Sequence, residues 1–325
     1  MKKSNMLFIM SMIMGTMITV SSNNWMSMWM GLELNMMSFI PLIKGKNKMS
    51  SEASMIYFLT QSVSSMLLLF SVIGCAGGKE MQLFISLGCV SLLIKLGSAP
   101  LHMWFPEIVS KMKWSSCILL MTWQKLAPLT MINNMSSNIK IMNIAVIMST
   151  IIGAIGGLNQ TSLRKIMSYS SISHLGWMLA INKIQNNWMI YWMIYSVLTT
   201  TICIMFNNYN MSFINQINSM KMSSTEKITC SISMLSMGGL PPFTGFLPKW
   251  MVIQILINDN MYTLILIMVM TSLITLFYYM RTMTNMMIMY SNTSLSSTTK
   301  SNNNLNFMML TLNLSLPLIM VLNMK

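Results

Sequence analysis

The sequence predicts an all-α protein, a polytopic transmembrane helical bundle of about eleven helices. Three observations carry this. Only 8% of the 325 residues are charged and 54% are hydrophobic; a soluble domain carries roughly 25% charged residues, and fewer cannot cover a water-facing surface. The apolar runs have the length a helix needs to cross about 30 Å of hydrocarbon. They are apolar on all sides, whereas barrel strands alternate over about ten residues. Finally, the basic residues fall on alternate sides of these runs.

Taken in order, the spans are expected near 4–21, 25–43, 52–75, 81–105, 113–133, 139–158, 165–181, 187–207, 226–257, 261–281 and 305–323. The first follows Met1-Lys2-Lys3 directly, with no amphipathic, Arg-rich presequence, as a chain made inside its own organelle would begin. The second carries an acid, Glu33. The third is read as continuous. The fourth is long and interrupted at Gly97-Ser98-Ala99-Pro100, and the ninth at Gly238-Gly239-Leu240-Pro241-Pro242. Proline removes a backbone donor and clashes with the preceding turn. Broken helices persist in membranes only where the freed groups are buried in protein or face water. The fifth and eighth read as unbroken apolar runs and the sixth as another. The seventh is polar within, with Ser168-Tyr169-Ser170-Ser171-Ile172-Ser173-His174. A Ser/Thr/Asn-rich polar loop, about 282–304, separates the tenth span from the last. The whole chain, 1–325, is expected to form one domain.

Charge supports the count. Thirteen basic residues (Lys2, Lys3, Lys44, Lys46, Lys48, Lys111, Lys113, Arg164, Lys165, Lys221, Lys227, Arg281 and Lys300) fall at one face. Four (Lys79, Lys140, Lys183 and Lys325) fall at the other. The positive-inside rule then puts the N-terminus on the side of synthesis, and an odd count puts the C-terminus opposite. The net charge of +14 is thus a topology signal rather than a nucleic-acid footprint. Five scattered cysteines form no CxxC pair, and two histidines are too few for a metal cluster. With no nucleotide fingerprint, no Cys cluster and no haem ligand pair, a redox enzyme in its own right lacks support. The 45 methionines exceed any packing need. They read as the mark of an AT-rich organellar genome whose code translates an extra Ile-like codon as Met.

Four charges remain inside the spans: Glu33, Lys95, Lys125 and Lys249. Each unpaired charge at the bilayer centre costs about 2.5–3.5 kcal/mol on insertion scales, together on the order of 10 kcal/mol. A long side chain near a helix end can snorkel to the headgroups, a reading that fits Lys249 better than the other three. The chemistry that all four permit is proton relay. Burial weakens a lysine's hold on its proton and a nearby carboxylate restores it, so a Glu–Lys pair of changing separation is a switch. Lysine suits this and arginine does not. Around His174, hydroxyls and an imidazole can order water and pass protons, or the serines can simply let helices approach closely. His102 is either a relay group or the partner of a carbonyl freed by the first break. Two interrupted segments in corresponding halves point to a transport site.

Several motifs resemble one family. They are Gly31-Leu32-Glu33-Leu34-Asn35, Lys95-Leu96-Gly97 with Ala99-Pro100, and Trp123-Gln124-Lys125-Leu126-Ala127-Pro128. They continue with Gly157-Leu158-Asn159-Gln160-Thr161, Leu163-Arg164-Lys165, Tyr169-Ser170-Ser171-Ile172, His174-Leu175-Gly176-Trp177, and Gly238-Gly239-Leu240-Pro241-Pro242 through Gly245-Phe246-Leu247-Pro248-Lys249-Trp250. In order and over nearly the whole chain, they are similar to the chain 2 family of mitochondrial NADH–ubiquinone oxidoreductase (respiratory complex I) in its animal form. The Met-rich bias and length resemble an arthropod version. The resemblance implies an antiporter-like fold of inverted repeats, eleven helices with two of them broken, in the mitochondrial inner membrane, N-terminus toward the matrix and C-terminus toward the intermembrane space. It implies a proton-translocating subunit that binds no cofactor: NADH, FMN, iron–sulfur clusters and ubiquinone belong to other subunits. Glu33 matches the acid paired with Lys95, Lys125 the central lysine, Lys249 the terminal one, and His174 a histidine on the hydrated axis. His102, Pro100, Pro241, Pro242, Tyr169 and Ser170 match supporting positions. The implied partners are other membrane-arm subunits, including neighbouring antiporter-like chains, and lipids such as cardiolipin at the basic face, with no nucleic acid. The competing readings are a stand-alone cation/proton antiporter and a non-pumping structural subunit. The loss of three helices that the family implies argues against the first, because it leaves a face that a partner must cover.

Overall fold

The computed structural model describes residues 3–45, 47–77, 81–135, 139–182, 187–219, 222–288 and 303–316. Among them the regular structure is helical, apart from one isolated antiparallel bridge between Ser162 and Phe213. Helices α1 (Lys3–Ser21) and α2 (Trp25–Ile43) form a tight hairpin. Its closeness depends on two glycines: a Cβ on Gly31 would lie 2.8 Å from the Gly15 carbonyl, and one on Gly15 would lie 2.9 Å from the Asn35 nitrogen. Small residues are what let membrane helices approach this closely. The third span is α3 (Lys48–Ala76) and the fourth is α4 (Met81–Leu96) followed by α5 (Trp104–Lys111). Next come α6 (Trp114–Met121), a single 3-10 turn at Trp123–Lys125, and α7 (Leu126–Asn134). Then follow α8 (Ile139–Leu158), α9 (Leu163–Asn182), α10 (Trp188–Asn208) and the short α11 (Ile214–Ser219). The chain continues through α12 (Ser224–Gly238), α13 (Phe246–Asn258), α14 (Tyr262–Ile288) and α15 (Asn303–Leu314).

These helices compose the eleven expected spans, with shifted boundaries. The third span begins at Lys48, four residues early. The fourth span runs on to Lys111. The ninth begins at Ser224, where Ser223 and Glu226 form a capping box. Arg164 and Lys165 stand in the first turn of α9 rather than in a loop. Helix α14 passes the expected end at 281 and reaches Ile288. The rest of the polar tract, 289–302, and the end of the last span, 317–325, lie outside the described residues, as do Lys2, Lys46, Lys79, Lys183, Lys221, Lys300 and Lys325.

The two broken spans are built alike. Spans four and nine are five apart, an odd number, so they cross the bilayer in opposite directions, the relation an inverted repeat has. Each first half ends at a glycine in the left-handed region, Gly97 at φ +68° and Gly239 at φ +79°. The following amides fold back in the Schellman pattern. Gly97 bonds to Ile94 and Ser98 to Leu93; Gly239 bonds to Ser236 and Leu240 to Leu235. Three of the residues exposed at the breaks are Pro100, Pro241 and Pro242, which have no N–H to leave unpaired in lipid.

The basic face is stitched together by hydrogen bonds between loops. Arg164 donates to the carbonyls of Ser110 and Met112 at 2.9 and 2.7 Å. Arg281 donates to Leu158 and Gln160 at 2.5 and 2.6 Å, the Trp114 indole to Met211 at 2.9 Å, and the Leu163 amide to Ser212 at 2.9 Å. Lys111 meets Glu107 and Glu52 at 2.8 and 2.7 Å. Its hydrogen bonds to Glu107 and Glu52 hold its ammonium above the usual lysine range. The residues assigned to one face from charge are therefore neighbours in space. Arg281→Lys tests one such stitch. A lysine cannot span both carbonyls with a planar fork, so about 1.5–3 kcal/mol of stability is lost. The detergent-solubilised assembly should melt lower than the parent, and an equal Tm would contradict this role.

Candidate functional site

Helix α9 is the axis of the molecule, with nearly all its residues from Leu163 to Asn182 buried. Around it the structure gathers three lysines, each at a helix discontinuity and each buried: Lys95 in the last turn of α4, Lys125 in the 3-10 turn, and Lys249 in the first turn of α13. No carboxylate among the described residues stands at ion-pair distance from any of them. Glu33, half-buried on α2, reaches Lys95 and Tyr57 through its field rather than through a hydrogen bond.

Lys95 opens the row. The α4 carbonyls that its break frees are taken up separately: Leu93 by Ser98 Oγ at 3.1 Å, Ile94 by the Trp104 indole at 3.2 Å, and Lys95 by Gln61 Nε2 at 3.4 Å. Its ammonium is thus left for the interior. A cavity of about 20 Å³, large enough for a water molecule, is lined by both Lys95 and Lys125 together with Asn35, Tyr57, Gln61 and Gln124.

Lys125 is the centre. Its Nζ donates to the Ser171 carbonyl at 3.1 Å and to the Tyr195 hydroxyl at 3.4 Å, and lies 4.7 Å from the centroid of the Tyr195 ring. The interruption that presents it is a third break, which the sequence reading treated as continuous helix. Its signal is Pro128. A proline ring clashes with the carbonyl four residues earlier, here Gln124, inside the 3-10 turn. The Thr122 carbonyl freed there is taken by the Trp192 indole at 2.9 Å.

Beyond Lys125 lies His174, whose Nδ1 pairs with the Tyr191 hydroxyl at 2.8 Å and whose ring centre is 5.0 Å from that of Tyr195. Charges on both Lys125 and Lys249 are felt there, and the ring reaches the Met237 backbone. Lys249 closes the row. Its Nζ donates to the Gly238 carbonyl at 2.7 Å and lies 5.8 Å from the Trp177 ring centre. The ammonium therefore points inward to the carboxyl end of α12, where the helix dipole favours a cation, and not out to the headgroups.

The remaining candidates are distributed differently. His102 Nδ1 bonds the Pro100 carbonyl at 3.1 Å, the local role open to it at the first break. Ser170 and its neighbours Ser168, Ser171 and Ser173 each donate to the carbonyl three residues back, which leaves their lone pairs facing the interior. A Cβ on Gly153 would sit 2.6 Å from the Ser173 nitrogen, so this stretch also serves close packing of α8. Tyr169 packs over Gly156 of α8, on the side of α9 away from Ser171, and does not join the row. The exposed prolines shape the breaks and lie outside the cavity between Lys95 and Lys125; Pro100 lines a separate apolar pocket with Leu59, Val63 and Leu101. Sequence reasoning missed Asn35, Tyr57, Gln61, Gln124, Tyr191 and Tyr195. Asn35 and Gln124 lay within quoted motifs beside Glu33 and Lys125. Tyr191 and Tyr195 carried no local signal, since only the packing of α10 on α9 brings them in, and Tyr57 joins the site only through the packing of α3.

Basic groups spaced by hydroxyls, amides and a water-sized cavity are chemically suited to stepwise proton movement. Comparison with known proteins places the fold. The family model described as "NADH:quinone oxidoreductase/Mrp antiporter, TM" matches residues 22–275. The chain is 46% identical over 291 residues to the NADH-ubiquinone oxidoreductase chain 2 of Anopheles gambiae, covering 86% of this chain and 85% of that one. It is 44% identical over 296 residues to the chain 2 of Locusta migratoria, covering 88% and 86%. A chain of the respiratory complex I of Thermus thermophilus, solved with bound aureothin, superposes with a TM-score of 0.83 at 18% identity, covering 95% of this chain and 76% of that one; that likeness is one of fold.

Proposed function

From the premise that this chain belongs to the NADH:quinone oxidoreductase/Mrp antiporter family, among the NADH-ubiquinone oxidoreductase chain 2 subunits, we propose that it is a proton-translocating membrane-arm subunit of complex I. Its protons move along a relay of Glu33, Lys95, Lys125, His174 and Lys249. The observation that carries this is the row itself: three lysines, each at a helix break, buried with no carboxylate among the described residues at ion-pair distance, and joined through the Lys95–Lys125 cavity and the Tyr195–His174 contacts. Insertion of such charges is expensive, and structure alone gives no reason to retain them.

In this reading electron transfer from NADH to ubiquinone takes place on cofactors held by other subunits. Its energy arrives as a change in charge near Glu33. When the Glu33 charge is neutralised or moves further from Lys95, the ammonium loses the field that favours it in a low-dielectric setting and gives its proton to water in the cavity. Lys125 receives it, and the next transfer passes by way of Tyr195 and His174 to Lys249. The protein is multi-pass in the mitochondrial inner membrane, with its basic face and N-terminus toward the matrix. Its partners are the neighbouring membrane-arm subunits and anionic lipids.

Assembly is tested by native separation of detergent-solubilised inner membranes, with peptide mass spectrometry of the band that oxidises NADH. The chain should be found in that band; if it migrates alone, the stand-alone antiporter reading replaces this one. The relay is tested by Glu33→Gln. An opposite charge at close range alters proton affinity by about ten- to a thousandfold, so the assembled variant should pump at least about tenfold more slowly through this subunit while NADH oxidation to an uncoupled acceptor persists. Parent-like pumping would remove Glu33 from the relay.

A further inference from the structure

Gln124 sits one residue before Lys125 in the 3-10 turn and is tied to two other helices. Its Nε2 donates to Asn35 Oδ1 on α2 at 2.9 Å, and its Oε1 accepts from the Tyr57 hydroxyl of α3 at 3.4 Å. All three side chains line the cavity between Lys95 and Lys125. Asn35 stands two residues from Glu33 on the same helix. Tyr57 is held in turn by edge contacts with Phe39 of α2 at 5.2 Å and Trp104 of α5 at 6.2 Å.

We propose that Gln124 is a positioning residue that orients the water between Lys95 and Lys125 and couples the helix bearing Glu33 to the turn bearing Lys125. The inference rests on the relay reading and deepens it. An amide does not itself carry the proton here; it fixes the direction of its neighbours. Because Tyr57 spends its only hydrogen on Gln124, its oxygen can only accept from a cavity water. Because Asn35 Oδ1 already accepts from Gln124, the Asn35 amide offers its N–H groups to the same space. A water that donates to Tyr57 has a lone pair free for an ammonium, which is the orientation needed to take a proton from Lys95 and hand another to Lys125. A shift of α2 that follows the charge state of Glu33 pulls on Asn35, then Gln124, and so on the turn that holds Lys125.

The test uses two variants of the intact oxidoreductase in proteoliposomes. Gln124→Leu removes both polar ends and should slow NADH-driven proton uptake about fivefold or more, without loss of NADH oxidation in uncoupled membranes. Gln124→Glu gives a pH-dependent readout within one assembled sample. The protonated acid keeps one donor and one acceptor, as the amide does, whereas the carboxylate can only accept. Its pumping should therefore recover toward the parent as pH falls and decline as pH rises, relative to the parent's profile. A side chain that merely fills space would not produce that profile. The proposal is overturned if Gln124→Leu pumps like the parent or if Gln124→Glu keeps the parent's pH profile. If Gln124→Leu fails to assemble, the Gln124→Glu profile still decides. Loss of pumping in Lys125→Met with parent-like Gln124 variants would sink this inference alone; parent-like pumping in Lys125→Met would sink the relay as well.

Discussion

Lys125→Met should abolish most proton transfer through this subunit while the complex still assembles. A positioned proton-transfer group contributes roughly 10²–10⁴-fold, and Lys125 is the point where the cavity from Lys95 meets the Tyr195 and His174 contacts. Methionine fills a similar volume. It removes a buried ammonium whose desolvation opposes folding, and the Ser171 carbonyl keeps its helical partner four residues on. Stability should hold or rise as function falls, a combination that general misfolding does not produce. The measurement is the proton-to-electron ratio of the assembled variant, with its abundance read from native gels. An unchanged ratio at normal abundance would favour the non-pumping structural reading.

The second large effect is structural. Gly245→Ala should disrupt the second broken helix. A Cβ at Gly245 would overlap the Ser236 carbonyl oxygen and lie 2.6 Å from its carbon. Those atoms are backbone, so no side chain can turn aside; α13 must move off the end of α12. Overpacking of a well-packed site costs about 1–3 kcal/mol and sometimes more, and a contact this short on rigid partners belongs at or above the top of that range. The same movement would break the 2.7 Å bond from Lys249 to Gly238, so pumping should fail even in the fraction that assembles. Gly238→Ala is the control. Its Cβ would meet nothing closer than 3.6 Å, and assembly should be normal. Full assembly and pumping by Gly245→Ala would show that the two half-helices are held less tightly than they lie here.

The spans were legible in the sequence because hydropathy and charge alternation are properties of single segments. Both proline-marked breaks were legible for the same reason, and so were the three lysines, since an ionisable residue inside an apolar run stands out without any tertiary knowledge. The turn at Lys125 was hidden although Pro128 announced it: one proline without an adjacent glycine does not by itself mark a break, as Pro41 inside the continuous α2 shows. Tyr191 and Tyr195 were hidden for a different reason. An aromatic residue on an apolar helix looks alike whether it faces lipid or a histidine, and only the docking of α10 on α9 decides. Conversely, Tyr169 lay in a motif with the serines, but helical rotation carries it to the far side of α9. Contiguity in sequence does not confer a shared face.

The stitching of the basic face has a mechanical consequence. Arg164, Arg281, Lys111, Trp114 and Leu163 bind together loops that belong to different spans. Toward the opposite face Asn182 at the end of α9 donates to the Leu129 carbonyl of α7 at 3.1 Å. A mouth laced in this way behaves like a hoop: a load that tilts one span is passed to its neighbours through the loops as well as through side-chain packing, so the spans respond to it together.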